Sequence, residues 1–204
     1  MHYLALGDSI SIDDYTGVRG GGAASQFAGI IRATATTDLT SDGCTVGGVV
    51  DALDSVSIRP DIITLTVCGN DFIEALVALK VQGASAEAAV QKILEDFDSL
   101  CSRLQAYAVP TIVNTVYDPT DGDDILAASL DIPPVVRSAF TALNEGIRDT
   151  GARYRFLVCD LEALFRGHGP ASAEPWIVSD IEPNLAGATA IAKAWAKAIG
   201  FETG

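Results

Sequence analysis

Basic side chains and histidine are scarce in this sequence of 204 residues. Lysine and arginine together number 13 against 27 aspartate and glutamate residues, which gives a formal net charge of -14 at pH 7. No segment collects the basic residues into a patch, so the phosphate backbones of nucleic acids and anionic membrane surfaces would be repelled. The charge balance therefore argues against nucleic acid as a partner.

The sequence also lacks paired cysteines, a leader segment and a long apolar run. Its four cysteines are far apart and form no CxxC pair, so we expect buried thiols rather than a redox centre. From Met1 the chain enters an apolar segment directly, without the basic and apolar regions of a secretory signal. No apolar run approaches the roughly 18 residues of a membrane span. These absences predict a cytoplasmic protein.

What the sequence does contain is an alternation of short apolar runs with segments of helical periodicity. The apolar runs predict strands buried on both faces, over residues 3–7, 61–67, 111–116 and 156–159, with a weaker strand before residue 42. The periodic segments predict helices over residues 22–35, 46–53, 86–107, 135–150 and 185–199. Such alternation is typical of the α/β class, with a parallel sheet between two layers of helices. No repeat or linker divides the chain, so we expect one domain over residues 1–204.

In an open parallel sheet, ligands bind at the carboxyl ends of the strands. Four predicted loops lie at that edge, over residues 7–22, 42–45, 68–72 and 167–184. The polar and glycine-rich signals of the sequence fall in these loops, so we expect one shared site.

Three of these loops carry candidate catalytic groups. Ser9 in "GDSIS" is a nucleophile if a base removes its proton and donors stabilise the oxyanion, and otherwise Ser9 or Asp8 satisfies a turn. Gly43 in "SDGCT" is either a close N–H donor or an ordinary turn residue. Asn70 in "CGND" offers an amide that donates at any pH, or else caps the next helix.

Together these blocks resemble the GDSL or SGNH hydrolase family. "GDSIS", "DGCT", "CGND" and "SDIEPNLAGATAIA" from Ser179 follow the family's order and span nearly the whole chain. The resemblance implies a flavodoxin-like three-layer α/β/α sandwich and ester hydrolysis without a metal or cofactor. It also implies Ser9 as nucleophile, with an oxyanion hole formed by the N–H groups of Ser9 and Gly43 and the side chain of Asn70. The expected substrate is an acyl ester, including an acetylated sugar.

The last block departs from the family pattern, because Glu182 stands where the family has histidine before proline. Of the two histidines in the chain, His2 precedes the first strand and belongs at its amino end. His168 in "FRGHGP" lies in the loop after the fifth strand, at the expected edge. Imidazole titrates near about 6.5 and glutamate near about 4.3, so imidazole is the stronger base at neutral pH. We therefore predict a triad of Ser9, His168 and Glu182, with Asp180 as the alternative orienting acid.

Simpler interpretations of these residues stay open. His168 also fits an exposed loop, and Glu182 also fits a residue that caps the final helix. The replacement of histidine by Glu182 is compatible with a ligand-binding protein that keeps the fold and has lost turnover.

A third function is suggested by Asp8, Asp13 and Asp14, because clustered carboxylates can hold Mg²⁺ in a phosphohydrolase. The sequence has no GxxxxGK phosphate cradle, which favours a solvated acidic loop instead.

Overall fold

The computed structural model describes residues 1–82, 85–129, 132 and 135–201. At its centre is a sheet of five parallel strands: β1 (His2–Gly7), β2 (Ala35–Thr40), β3 (Ile62–Thr66), β4 (Thr111–Asn114) and β5 (Leu157–Cys159). Their order across the sheet is β2–β1–β3–β4–β5. The four predicted apolar runs are β1, β3, β4 and β5, and the weak strand is the edge strand β2. The parallel α/β fold is therefore confirmed.

The helices of the described residues lie between these strands and after them. They are α1 (Ala23–Ile30), α2 (Val46–Leu53), α3 (Gly69–Gln82), α4 (Ala86–Gln105), α5 (Asp124–Ser129), α6 (Val135–Tyr154), α7 (Leu161–Phe165) and α8 (Leu185–Ala198). A 3-10 turn covers Asp14–Thr16, and a short antiparallel hairpin joins β6 (Ile177–Val178) to β7 (Glu182–Pro183).

One predicted helix is too long. The periodic segment over residues 22–35 forms a helix only to Ile30, and β2 begins at Ala35. The reason is the backbone at Arg32, where a φ of 52° cannot continue a right-handed helix. The chain therefore turns at Arg32 and enters the edge of the sheet.

Alternate residues of the strands point to two separate cores, one on each face of the sheet. Leu4 and Leu6 of β1 face a core built with α2, α4 and α6, whereas Tyr3 and Ala5 face a core built with α1 and α8. Burial of apolar side chains on both faces is the main favourable contribution to folding. The result is the predicted three-layer arrangement.

A buried hydrogen-bond chain links α8 to the middle of the sheet. Trp195 Nε1 donates to Asn114 Oδ1 at 2.8 Å, and Asn114 Nδ2 donates to the Leu65 carbonyl at 2.8 Å. Because both the oxygen and the nitrogen of the Asn114 side chain have a hydrogen-bond partner, its burial costs less free energy than that of an unpaired amide. Asn114 ends β4, so this chain also fixes the carboxyl edge of the sheet.

Two further expectations concern the cysteines and membrane spans. Cys68, Cys101 and Cys159 are buried thiols as predicted, whereas Cys44 is only half-buried. No helix within the described residues is long and apolar enough to cross a bilayer.

Candidate active site

The turn that carries Ser9 depends on Gly7, the last residue of β1. Gly7 has a φ of 129°, and a Cβ at this position would lie 1.9 Å from the Thr66 carbonyl oxygen of β3. Only glycine fits both the backbone angle and the close approach. The chain can therefore turn directly at the strand end, which places Ser9 at the carboxyl edge with 3% of its surface exposed.

Asp8 holds this turn against the neighbouring strand. Its N–H donates to the Thr66 carbonyl at 3.1 Å, and its carboxylate accepts the Ile10 N–H at 3.2 Å. Ser11 shares a hydrogen bond of 2.8 Å with the Thr66 hydroxyl. Burial raises the pKa of Asp8 to about 6, against the lowering effect of its hydrogen bonds with Thr66 and Ile10. The hydroxyl of Ser9 has no hydrogen-bond partner among the described residues.

Asn70 lies in the first turn of α3, beside the loop that contains Gly43. Its Nδ2 donates to the Cys44 carbonyl at 2.9 Å, and the neighbouring Asp71 accepts the Val46 N–H with both oxygens at 3.2 and 3.1 Å. These bonds fasten the loop and the start of α2 to the start of α3. An amide nitrogen has two hydrogens, so one hydrogen of Asn70 is left for a ligand.

The hairpin of β6 and β7 brings Asp180 and Glu182 to the same edge. Tyr117 donates its hydroxyl to the Ile181 carbonyl, and Asn184 donates its side-chain amide to the Pro175 carbonyl at 2.7 Å. Glu182 is half-buried and accepts the Ile181 N–H at 3.4 Å. No cation of the described residues pairs with either carboxylate.

A cavity of about 780 Å³ joins these elements. Its lining includes every predicted site residue except two: Ser9, Asn70, Asp180 and Glu182 contribute to it, together with Asp8. The structure therefore brings the predicted nucleophile, one predicted donor and both carboxylates to one space.

His168 and Gly43 do not line this cavity. His168 stacks on Trp176 with ring centroids 3.5 Å apart, and its Nδ1 lies 3.0 Å from the Glu174 carbonyl. Trp176 in turn meets Phe165, which stacks on Tyr117 at the cavity wall. The ring contacts therefore run from His168 through Trp176 and Phe165 to Tyr117, which lines the cavity. Gly43 is exposed in its loop, one residue before the carbonyl that Asn70 binds.

The acidic residues after β1 serve the local turn. Asp13 accepts the Gly20 N–H at 2.6 Å and the Gly22 N–H at 2.8 Å, while Asp14 is exposed in the 3-10 turn. Burial alone would raise the pKa of Asp13, but these two hydrogen bonds outweigh it and hold the pKa below its usual value. Within the described ranges, no three His, Cys, Asp or Glu side chains are grouped to hold a metal ion.

Two residues that shape the site were missed from the sequence. Thr66 receives the Asp8 and Ser11 hydrogen bonds, and a polar residue at the end of an apolar strand was a usable signal for it. Tyr117 supports the hairpin 64 residues away, and nothing in its local sequence indicates that contact.

Several solved structures share this fold. A phospholipase A1 from Streptomyces albidoflavus NA297 has 18% identity and a TM-score of 0.74, with 97% of each chain covered. An acetylxylan esterase from Geobacillus stearothermophilus has 16% identity and a TM-score of 0.73, covering 98% of this chain and 94% of the other. A lipase from a goat rumen metagenome has 16% identity and a TM-score of 0.78, with 98% of both chains covered. At these identities the likeness establishes the fold.

The family follows from the sequence itself. No curated protein matched the sequence. The model of the GDSL-like Lipase/Acylhydrolase family, in contrast, matches residues 5–190, which include every predicted site residue. The chain therefore belongs to the GDSL-like Lipase/Acylhydrolase family, a family of hydrolases that act on ester bonds.

Proposed function

We propose that this protein hydrolyses carboxylic esters through an acyl-enzyme formed on Ser9. The observation that carries the proposal is the placement of Ser9 in a buried turn that lines the cavity, with its hydroxyl unpaired among the described residues. A serine hydroxyl in that position is available to a substrate carbonyl and to a base at the same time. The cavity is also lined by Asn70, the proposed oxyanion donor, and by Glu182, the proposed base.

The oxyanion that forms on the substrate carbonyl needs preorganised donors. In this proposal the Ser9 N–H and the free hydrogen of the Asn70 amide supply two of them. The N–H of Gly43 is the third, and its support is the hydrogen bond from Asn70 to the adjacent Cys44 carbonyl, which holds that loop against α3. Of the three donors, Gly43 has the weakest support, since it lies outside the cavity lining.

The proton of Ser9 passes to Glu182 in this scheme. His168 is the stronger base by chemistry, but its ring is stacked on Trp176 and is not part of the cavity lining, whereas Glu182 lines the cavity. A base has to reach the proton directly or through one water, so geometry takes precedence over basicity. Glu182 then returns the proton to the leaving alcohol, and Asp180 is the alternative carboxylate.

A second half-reaction, which consumes water, completes the cycle. Water attacks the acyl-enzyme, Glu182 takes its proton, and the carboxylic acid leaves as Ser9 recovers its hydrogen. Because a carboxylate is a weaker base than imidazole, we expect slow turnover at neutral pH.

The test is covalent labelling and hydrolysis of p-nitrophenyl acetate, in the wild type and in Ser9→Ala. We expect an organophosphonate to add to Ser9, and Ser9→Ala to lose the adduct and at least about 1,000-fold in kcat. Ser172→Ala is a matched control, because the Ser172 hydroxyl is buried without a partner and lies outside the cavity lining. Unchanged labelling of the Ser9→Ala protein would show that the nucleophile is another residue.

The absence of imidazole from the cavity lining also favours a second function, in which the protein binds an ester or glycan ligand and does not turn it over. This alternative predicts saturable ligand binding with neither burst nor steady-state hydrolysis. Turnover of p-nitrophenyl acetate that disappears in Ser9→Ala eliminates it.

A further inference from the structure

In addition to the polar groups near Ser9, the cavity has an apolar part lined by residues of α3, α5 and α6, which we call the apolar channel. The residues of this channel come from three helices: Phe72, Ile73, Leu76 and Val77 of α3, Ala127 of α5, and Val136 and Phe140 of α6. The carboxylates of Asp8, Asp180 and Glu182 belong to the strand-end loops and the hairpin instead. The cavity thus has a polar end at Ser9 and an apolar extension.

The apolar residues that α3 contributes to the channel form one continuous stripe along the helix. Phe72, Ile73, Leu76 and Val77 occupy positions i, i+1, i+4 and i+5, which lie on one side of a helix. Ile73 and Val77 remain 40% and 57% exposed. Scattered exposed apolar residues need no explanation, but a contiguous concave set marks a binding surface.

Helices α3 and α6 both pack against α4. They meet each other through the rings of Phe72 and Phe140, whose centroids lie 5.8 Å apart. Along α3, the seven helical steps from Asn70 to Val77 correspond to about 10 Å of helix. That length exceeds an acetyl group and accommodates a medium-length acyl chain.

Among the residues of the lining that the structure describes, the one cation, Arg137, is engaged elsewhere. Arg137 donates to the Gly122 carbonyl at 3.0 Å and pairs with Asp124 at 2.5 Å. An anionic acyl group would therefore lose hydration in the channel without gaining a free cation, whereas a hydrocarbon chain loses nothing.

We propose that this channel binds the acyl chain, and that the protein's substrates are esters of uncharged, unbranched medium-chain fatty acids. This inference rests on the proposed role of Ser9. The acyl carbonyl lies between Ser9 and Asn70, its chain follows α3, and the alcohol part faces the acidic hairpin. Each buried methylene multiplies binding by roughly four, so binding alone separates octanoyl from acetyl esters.

The experiment compares kcat/KM for p-nitrophenyl octanoate and p-nitrophenyl acetate in three variants. We expect the wild type to prefer octanoate by at least about tenfold. Leu76→Trp narrows the channel, and Val77→Asp places a charge in it at a position exposed enough to fold normally. Both variants are expected to lower kcat/KM for octanoate by at least about fivefold more than kcat/KM for acetate, so that most of the preference is lost. Ile125→Trp is the control, because Ile125 is 83% exposed and does not line the cavity.

The outcomes separate the two proposals. Hydrolysis of acetate that depends on Ser9, without preference for octanoate, overturns the acyl channel and leaves the nucleophile in place. An equal loss on both esters in Leu76→Trp and Val77→Asp also overturns it. If neither ester is hydrolysed, the binding of methyl octanoate is measured by calorimetry. Binding to Ser9→Ala that is lost in the double variant Ser9→Ala/Val77→Asp supports the channel. Absence of binding to Ser9→Ala refutes it.

Discussion

The two halves of the site are built in different ways. On the nucleophile side, Asp8, Ser9, Ser11 and Thr66 are at most 3% exposed, and three of them are joined by hydrogen bonds between β1 and β3. On the base side, the hairpin of β6 and β7 has two residues in each strand, and its turn is exposed at Asp180. The proposed nucleophile directly follows a strand of the central sheet, whereas the carboxylates belong to a separate two-stranded hairpin.

Because of this difference, we expect substitutions to be tolerated better in the hairpin that carries Glu182 than in the turn that carries Ser9. A substitution near Ser9 meets the close approach of Gly7 to Thr66 and a buried hydrogen-bond set. The side chain of Glu182 extends from a hairpin that is held mainly through the Ile181 carbonyl and Asn184, so its identity is independent of those backbone bonds. We therefore expect that an exchange of the residue at Glu182 changes the chemistry of the site without changing the fold.

The largest expected effect concerns the base side. Glu182→Gln keeps the shape of the side chain and removes the proposed proton acceptor, so we expect kcat for p-nitrophenyl acetate to fall by about 1,000-fold or more. His168→Ala removes the stacking on Trp176 and is expected to lower the free energy of unfolding by ~1 kcal/mol, with kcat within about twofold of the wild type. Steady-state kinetics and urea unfolding of both variants provide the comparison.

Asp180→Asn is the matched control for Glu182→Gln on the same hairpin. A large loss in Asp180→Asn with little change in Glu182→Gln assigns the base to Asp180. A large loss in His168→Ala alone returns the base to the histidine and contradicts the static placement of its ring.

The next effect belongs to the nucleophile side. Asn70→Ala deletes an oxyanion donor, and we expect kcat to fall by about 100- to 1,000-fold with KM little changed. It also leaves the Cys44 carbonyl without its donor, so thermal unfolding has to be measured beside the kinetics. A kcat within about threefold of the wild type would remove Asn70 from the oxyanion hole.

The smallest effect is on stability and concerns Asp8. Its pKa of about 6 in the folded protein lies above the unfolded value near about 3.9, so the folded state binds the proton more tightly. The contribution of Asp8 to the free energy of unfolding is therefore fully present below pH 4 and is lost as pH rises through 6, by up to roughly 3 kcal/mol. Asp8→Asn should flatten this part of the pH profile, because an amide does not titrate. Its oxygen still accepts the Ile10 N–H, so the turn is kept.

Urea unfolding between pH 3.5 and 7.5 measures this difference. Asp124→Asn is the control, since the Asp124 side chain is 88% exposed. A profile of Asp8→Asn parallel to that of the wild type would mean that Asp8 is not the group that titrates.

Much of the nucleophile side was predictable because its signals are local. The apolar runs of β1 and β3 predict buried parallel strands, and the residues after a parallel strand necessarily reach the carboxyl edge. The edge strand β2 was harder, because its sequence "ATTDLT" has little apolar character and the preceding helical pattern extended into it. The alternative interpretation of Asn70 was a cap for a helix from Phe72 onward, but α3 begins at Gly69 and the Asn70 side chain donates to the Cys44 carbonyl.

The base side could not be predicted for a physical reason. The loop of His168 is fixed by contacts that are distant in sequence: Asp121 accepts the Gly167 N–H at 3.0 Å, and Trp176 covers the imidazole ring. Sequence placed this loop at the correct edge, but the direction of a side chain within a long loop depends on such contacts. The hairpin that presents Glu182 depends in the same way on Tyr117.

The two tryptophans give the protein a pair of built-in optical probes. Trp195 is fully buried and bonded to Asn114, so its emission reports the integrity of the helix–sheet core. Trp176 is half-buried between His168 and Phe165, so its emission reports the segment that leads into the hairpin. Variants that retain one tryptophan can show, in one titration, whether the hairpin loosens before the core melts.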